Sequence, residues 1–189
     1  MKEIIEKIFQ DSIKVKQETL KTNVDQIAQA AQIIIEAYKN GKKVIIFGNG
    51  GSAADSQHVA AELIGRFQKE RKSLSAIALT TDTSAITALG NDYGYEVIFS
   101  RQMEGLATPG DVAIGISTSG NSANVIKGIE TAKGIGLKTI SLTGCQGGKL
   151  APVSDIKIIV PSKNTARIQE SHNCILHSIC ELVEGTLFP

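Results

Sequence analysis

The stretch Val44-Ile45-Ile46-Phe47-Gly48-Asn49-Gly50-Gly51-Ser52-Ala53-Ala54-Asp55 passes from an apolar run, through a Gly/Asn turn, into small residues that suit a helix. It reads as a strand, a tight turn and a helix start. A strand of uninterrupted apolar residues is covered on both faces, the condition of a parallel sheet sandwiched between helices. The same design recurs where Val112 to Ile114 leads into Ile116-Ser117-Thr118-Ser119-Gly120-Asn121-Ser122-Ala123-Asn124. Each turn presents unpaired backbone N–H groups and short hydroxyls to an anion at a helix N-terminus. Two such cradles imply a phosphorylated ligand. The second, richer in hydroxyls, is the stronger site for its phosphate. Both fall at the carboxyl ends of strands, where parallel sheets bind their ligands.

Outward from these loops the chain alternates between strand and helix patterns. Strands are predicted at 43–47, 75–79, 111–116, 137–142 and 155–160. Helices are predicted near 52–66, 95–106, 122–133 and 165–187, with a shorter one near 83–89. The first forty residues read as two amphipathic helices. Ile5, Ile8, Phe9 and Ile13 mark one, and Ile27, Ala30, Ala31, Ile34, Ile35 and Tyr38 the other, stopped by Gly41. The leading helix either covers its own sheet or packs on another subunit. The expected architecture is α/β: a three-layer sandwich with a five-stranded parallel sheet preceded by two N-terminal helices. Residues 1–189 read as one domain, with residues 1–40 in subunit contacts.

Composition narrows the function classes. The 189 residues are 42% apolar and 21% charged, with a net charge of +1 and no basic block, so no nucleic-acid footprint is expected. No apolar span approaches the ~18 residues of a transmembrane helix. Glu3, Glu6 and Asp11 interrupt the N-terminus in a way that does not suit a signal peptide, and the cytoplasm is the expected compartment. Cys145, Cys174 and Cys180 lack metal-motif spacing and are expected to be buried, reduced thiols.

Few polar residues could do chemistry. His58 and Glu62 stand four apart, on one face of the helix after the first cradle. They form either a solvated pair or a functional pair beside an anion site. In the last helix Gln169, Asn173 and His177 recur every four residues as a polar stripe, and His172 steps off it as a structural histidine. Gln169 and His177 gain interest only if this helix faces His58 and Glu62. Asn91-Asp92-Tyr93-Gly94 is a turn signal, with binding of substrate hydroxyls as the other reading. Gly48, Gly50 and Ala53 match the dinucleotide fingerprint, but the acidic residue expected ~20 positions on has no good candidate. No Gly-Lys-Ser/Thr follows Ser117–Ser122, and no G-x-S-x-G elbow is present.

Taken together these segments resemble the sugar isomerase (SIS) family, and within it the phosphoheptose isomerases. The resemblance is carried by Gly48 to Ser52, His58 to Arg66, Gly90 to Gly94, Gly115 to Asn124, Leu142-Thr143-Gly144 and Arg167 to Glu170. It implies a flavodoxin-like SIS fold. It also implies reversible conversion of sedoheptulose 7-phosphate into D-glycero-D-manno-heptose 7-phosphate, which opens the route to activated heptoses for lipopolysaccharide or capsule. Members are cytoplasmic homotetramers with sites at subunit contacts. Several carry zinc, here on His58, Glu62, Gln169 and His177, one ion per subunit. Substrate contacts fall on Asn49, Gly50, Gly51, Ser52, Glu62, Asn91, Asp92 and Gln169, and the phosphate loop on Ser117, Thr118, Ser119 and Ser122. Ala166 departs from members that have Asp there.

Isomerisation through an enediol needs a base for a carbon-bound proton and an acid or electrophile for the developing oxyanion. Glu62 is assigned as base and His177 as acid. Zinc would either polarise the carbonyl or compete for these two groups. SIS proteins that bind the bacterial replication initiator, or sense sugar phosphates, are the alternative. Those that bind the initiator lack the catalytic pair, which this chain retains.

Overall fold

The computed structural model describes residues 1–189. Helix α1 runs from Lys2 to Lys39 as one unit of 38 residues, about 57 Å at 1.5 Å per residue. The expectation of two N-terminal helices is corrected here. No Gly or Pro falls between residues 2 and 39, so nothing separates the two apolar stretches. The helix ends at Asn40, and Gly41 turns the chain with a φ of 68°.

The remaining elements are β1 (Val44–Gly48), α2 (Gly51–Ile64), β2 (Ala76–Ala78), α3 (Thr83–Tyr93), α4 (Ile98–Leu106), β3 (Val112–Ser117), α5 (Ala123–Ile135), β4 (Lys138–Thr143), β5 (Ile156–Ile159) and α6 (Thr165–Leu187). The five strands form one sheet in the order β2-β1-β3-β4-β5, with every pair parallel.

Alternate residues of the apolar strands serve opposite faces. Val44, Ile46, Val112, Ile114 and Ile116 pack on α1, α2 and α6 through residues such as Ile34, Val59, Leu63 and Ile175. Ile45, Phe47 and Ala113 pack on α4 and α5 through Phe99, Met103, Val125 and Ile129. Each large side chain so buried contributes roughly 1.5–3 kcal/mol. Coverage on both faces is why the strands show no polar alternation. At the β5 edge, Asn23 of α1 donates to the Ile159 carbonyl (3.1 Å) and accepts from its N–H (3.1 Å), closing backbone groups that would otherwise stand open. No helix is long and apolar enough to cross a membrane.

The strand order reverses between β1 and β3, which pair from Val44↔Val112 to Gly48↔Ile116. A crevice opens at such a switch point, beyond the carboxyl ends of the strands. The two cradles are the loops that leave those two ends.

Candidate active site

Gly50 adopts φ 57° and ψ −121°, a conformation that glycine reaches far more readily than residues with a side chain. This lets the loop after β1 fold back, with Ser52 N–H on the Asn49 carbonyl (3.0 Å) and Ala53 N–H on that of Gly50 (3.0 Å). The Gln169 amide lies directly over Gly51, so close that a Cβ at 51 would collide with Nε2. Gln169 thereby comes from α6 to the mouth of the first cradle.

In the second cradle Ser117 ends β3 and its hydroxyl lies 3.0 Å from that of Ser122. Ser122 is the N-cap residue of α5, but its hydroxyl does not cap the helix. The Val125 N–H bonds back to the Ser122 carbonyl (3.1 Å), and the two N–H groups before it, of Ala123 and Asn124, open the helix where an anion would be favoured. Gly120, at φ 67°, packs backbone to backbone on Gly147 and Gly148, and its N–H returns to the Ser117 carbonyl (3.0 Å). Ser119 is exposed and Thr118 half-buried, with the Ser119 hydroxyl accepting from Asn121 N–H (3.2 Å). The two cradles are joined by Asn49 and Asn124, whose amides exchange two hydrogen bonds of 2.9 Å.

α2 packs against α6, and the two polar stripes face each other. His58 Nε2 lies 3.0 Å from Glu62 Oε1 and 3.4 Å from His177 Nε2. The imidazoles meet edge to face, 4.9 Å between centroids, and Phe67 backs His177 at 5.4 Å. One ligand atom from each of His58, Glu62 and His177 lies within 4.8 Å of the others. Two imidazole nitrogens and a carboxylate oxygen are a zinc donor set, and ligands 2.0–2.1 Å from a tetrahedral zinc stand about 3.4 Å apart. The residues therefore fit such an ion. They equally bring a carboxylate and an imidazole to one point, the pairing that acid–base chemistry requires.

Asp55 joins this group, although the sequence reading assigns it no role. It precedes His58 by three residues and Glu62 by seven on the same face of α2, a spacing that could have revealed it. Its Oδ2 is buried without a partner. Burial raises its carboxyl above the usual range, opposed by the charge of His58, the Asn173 amide and the charge of His177. The Asn173 amide nitrogen reaches His58 Nδ1 at 3.4 Å.

The remaining positions lie outside this cluster. Asn91 and Asp92 do not form a turn: they close the last turn of α3, stopped by Gly94 at φ 92°, and hydrogen-bond each other (2.8 Å) at an exposed surface. His172 is fully buried and holds the Thr143 carbonyl at 3.1 Å, as a structural residue does. Of the cysteines only Cys180 is buried. Cys145 and Cys174 are exposed, a correction that follows from the loop position of the first and the outward face of α6 at the second.

A family model described as the SIS domain matches residues 8–144. The phosphoheptose isomerase of Aquifex aeolicus is 58% identical over 97% of this chain and 96% of its own length. That of Helicobacter pylori is 51% identical over 96% and 95%. Among solved structures, phosphoheptose isomerase GmhA from Neisseria gonorrhoeae superposes with a TM-score of 0.93 at 45% identity, covering 97% of this chain and 98% of that one. Arranged in this fold and this similar along its whole length, the chain belongs to the phosphoheptose isomerase family of SIS-domain proteins.

Proposed function

We propose that this protein interconverts sedoheptulose 7-phosphate and D-glycero-D-manno-heptose 7-phosphate through an enediol, supplying heptose for activated precursors of surface glycans such as lipopolysaccharide or capsule. The observation that carries this reading is the meeting of Glu62 and His177 across α2 and α6 in a single protomer, with both cradles opening at the adjoining strand ends. The relatives, phosphoheptose isomerases of Aquifex aeolicus and Helicobacter pylori, point to the same substrate class.

In this mechanism Ser117, Thr118, Ser119 and Ser122 hold the phosphate, anchoring the far end of the sugar and orienting its reactive end. Asn49, Gly50, Gly51, Ser52 and Gln169 line the near end, with Asn91 and Asp92 as further substrate contacts. Glu62 takes a proton from C1 of the ketose. Its Oε1 is turned to His58, which leaves Oε2 as the accepting oxygen. His177 gives a proton to the oxygen on C2 as charge develops there, producing the enediol. Return of the proton from Glu62 to C2, with loss of the O1 proton to the imidazole, yields the aldose and restores both groups.

His58, Glu62, Gln169 and His177 are the residues that would hold zinc, one ion per subunit. Held there, zinc would either supply Lewis-acid polarisation of a carbonyl or compete with proton transfer by Glu62 and His177. Zinc added to metal-depleted protein is expected to raise its Tm, and His58→Ala and His177→Ala to abolish the rise. A Tm insensitive to zinc contradicts the assignment.

The amino-terminal end of α1 supports a subunit contact, which this reading takes as part of a homotetramer with sites between subunits. Ile4, Ile5, Phe9 and Ile13 are each about half exposed or more along one stripe, an apolar surface of the kind that partner chains cover. A cytoplasmic location accords with this activity. Incubation of the pure protein with sedoheptulose 7-phosphate, followed by NMR, tests the function. Appearance of the aldose is expected, and binding without turnover contradicts the enzymatic reading.

A further inference from the structure

The amide that joins the two cradles is more tightly bound than a substrate contact requires. Asn49 Nδ2 donates to Asn124 Oδ1 (2.9 Å), and Asn49 Oδ1 accepts from Asn124 Nδ2 (2.9 Å). A third group reaches the same oxygen: the Tyr95 hydroxyl donates to Asn49 Oδ1 at 3.2 Å. A primary amide has two N–H donors and two acceptor lone pairs. Both lone pairs of Asn49 Oδ1 are thus engaged, and one of its N–H groups is used. A single N–H remains. The adjoining cavity is lined in part by Asn49, Tyr95, Ser122 and Asn124, so it bridges the sugar end and the phosphate end of the proposed site.

We propose that Tyr95 and Asn124 are positioning residues that convert Asn49 into a one-donor group, whose remaining N–H is given to an acceptor oxygen on the sugar. The inference rests on the isomerase reading for the identity of that sugar, but not for the geometry. Asn124 is only 3% exposed, in the first turn of α5, and acts as the fixed member of the pair. Tyr95 is 61% exposed and follows Gly94, whose φ of 92° ends α3 and directs the ring toward the crevice. A phenol held at the surface with its hydroxyl on a cradle amide is not needed for the core. Phe99, not Tyr95, fills the apolar side of this region.

The test is a double-mutant cycle with two ligands. Tyr95→Phe removes one hydroxyl from an exposed ring and is expected to fold normally. Loss of one hydrogen bond that orients the donor should raise KM for sedoheptulose 7-phosphate about 3- to 10-fold, with kcat within about twofold. Inhibition by inorganic phosphate, which probes the serine loop alone, should be unchanged. In an Asn49→Ala background Tyr95→Phe should have no further effect, because its only route to substrate is gone. Asn124→Ala should raise KM in the same direction and also be non-additive with Tyr95→Phe. An unchanged KM in Tyr95→Phe overturns the proposal. So does an effect that persists in Asn49→Ala, or a parallel weakening of phosphate inhibition. If the wild-type protein binds the ketose phosphate without converting it, the isomerase reading fails, and the same cycle measured by calorimetric binding still decides the positioning claim.

Discussion

Arg71 and Glu184 form an ion pair inside the protein, Nε to Oε2 2.9 Å, with side chains 1% and 3% exposed. The pair ties the helix that carries Glu62 to the end of α6. The Arg71 guanidinium donates to the carbonyls of Glu62 (2.8 Å) and Leu63 (2.8 Å), satisfying the open C-terminal end of α2. Glu184 accepts in addition from the backbone N–H groups of Phe67, Gln68 and Lys69, at 2.7–2.9 Å. The backbone of Glu62 is thus held by a network that does not engage its carboxylate.

Breaking that network should cost stability before it costs chemistry. Glu184→Ala leaves the guanidinium buried without its partner and frees three N–H groups, a loss of about 3–5 kcal/mol. Urea denaturation of the variant should show the midpoint falling accordingly. A change under about 1 kcal/mol would show that the pair is dispensable.

Acid should act on two residues in successive windows that overlap slightly near pH 4. Burial lowers the His172 imidazole to about 4 against an ordinary 6.5, with the Thr143 carbonyl acting the other way. The unfolded chain binds this proton first, so stability falls as pH drops from 6.5 to 4, by roughly 3 kcal/mol in all. Burial works to raise the Glu184 carboxyl, but the N–H groups of Phe67, Gln68 and Lys69, with Arg71, bring it down to about 2 from 4.5. Its stabilisation is complete above 4.5 and is lost as pH falls toward 2. Denaturation measured across pH should decline in both windows, and His172→Gln should flatten the upper one alone. An unchanged upper slope in that variant contradicts the assignment.

Gly51 is a site where shape and activity separate. A Cβ there displaces only the tip of the flexible Gln169 side chain, so Gly51→Ala should keep its Tm within about 2 °C of wild type. Moving Gln169 off the first cradle should lower kcat/KM about 10- to 100-fold. Wild-type kinetics in Gly51→Ala would remove Gln169 from the site.

Much of this was legible in the residues themselves. The runs Val44 to Phe47 and Val112 to Ile114 announced a sheet covered on both sides, and the glycines and serines after them announced the cradles. Periodicity also put His58 with Glu62, and Gln169 with His177, because those pairs lie within single helices. What it could not supply were the long-range pairings. Nothing in a local pattern makes α2 face α6, joins Asn49 to Asn124 across 75 positions, or sends Arg71 to Glu184 across 113. Asn91 and Asp92 read as a turn because Asn, Asp and Gly favour one. In the structure α3 carries on through them to Tyr93, and only Gly94 ends it. The unbroken α1 differs from the sequence reading for the opposite reason: two apolar stretches suggest two helices, yet no breaker lies between them.

The central claim is that the Glu62 carboxylate moves the proton on C1. It is tested most directly by following, in D2O by NMR, exchange of the C1 hydrogen of sedoheptulose 7-phosphate with Glu62→Gln protein. The side chain is 23% exposed, so the isosteric change should leave the fold intact. Exchange and aldose formation should both fall by about 10²- to 10⁴-fold, with binding of the ketose phosphate kept within about threefold. Exchange at the wild-type rate in Glu62→Gln would contradict the account.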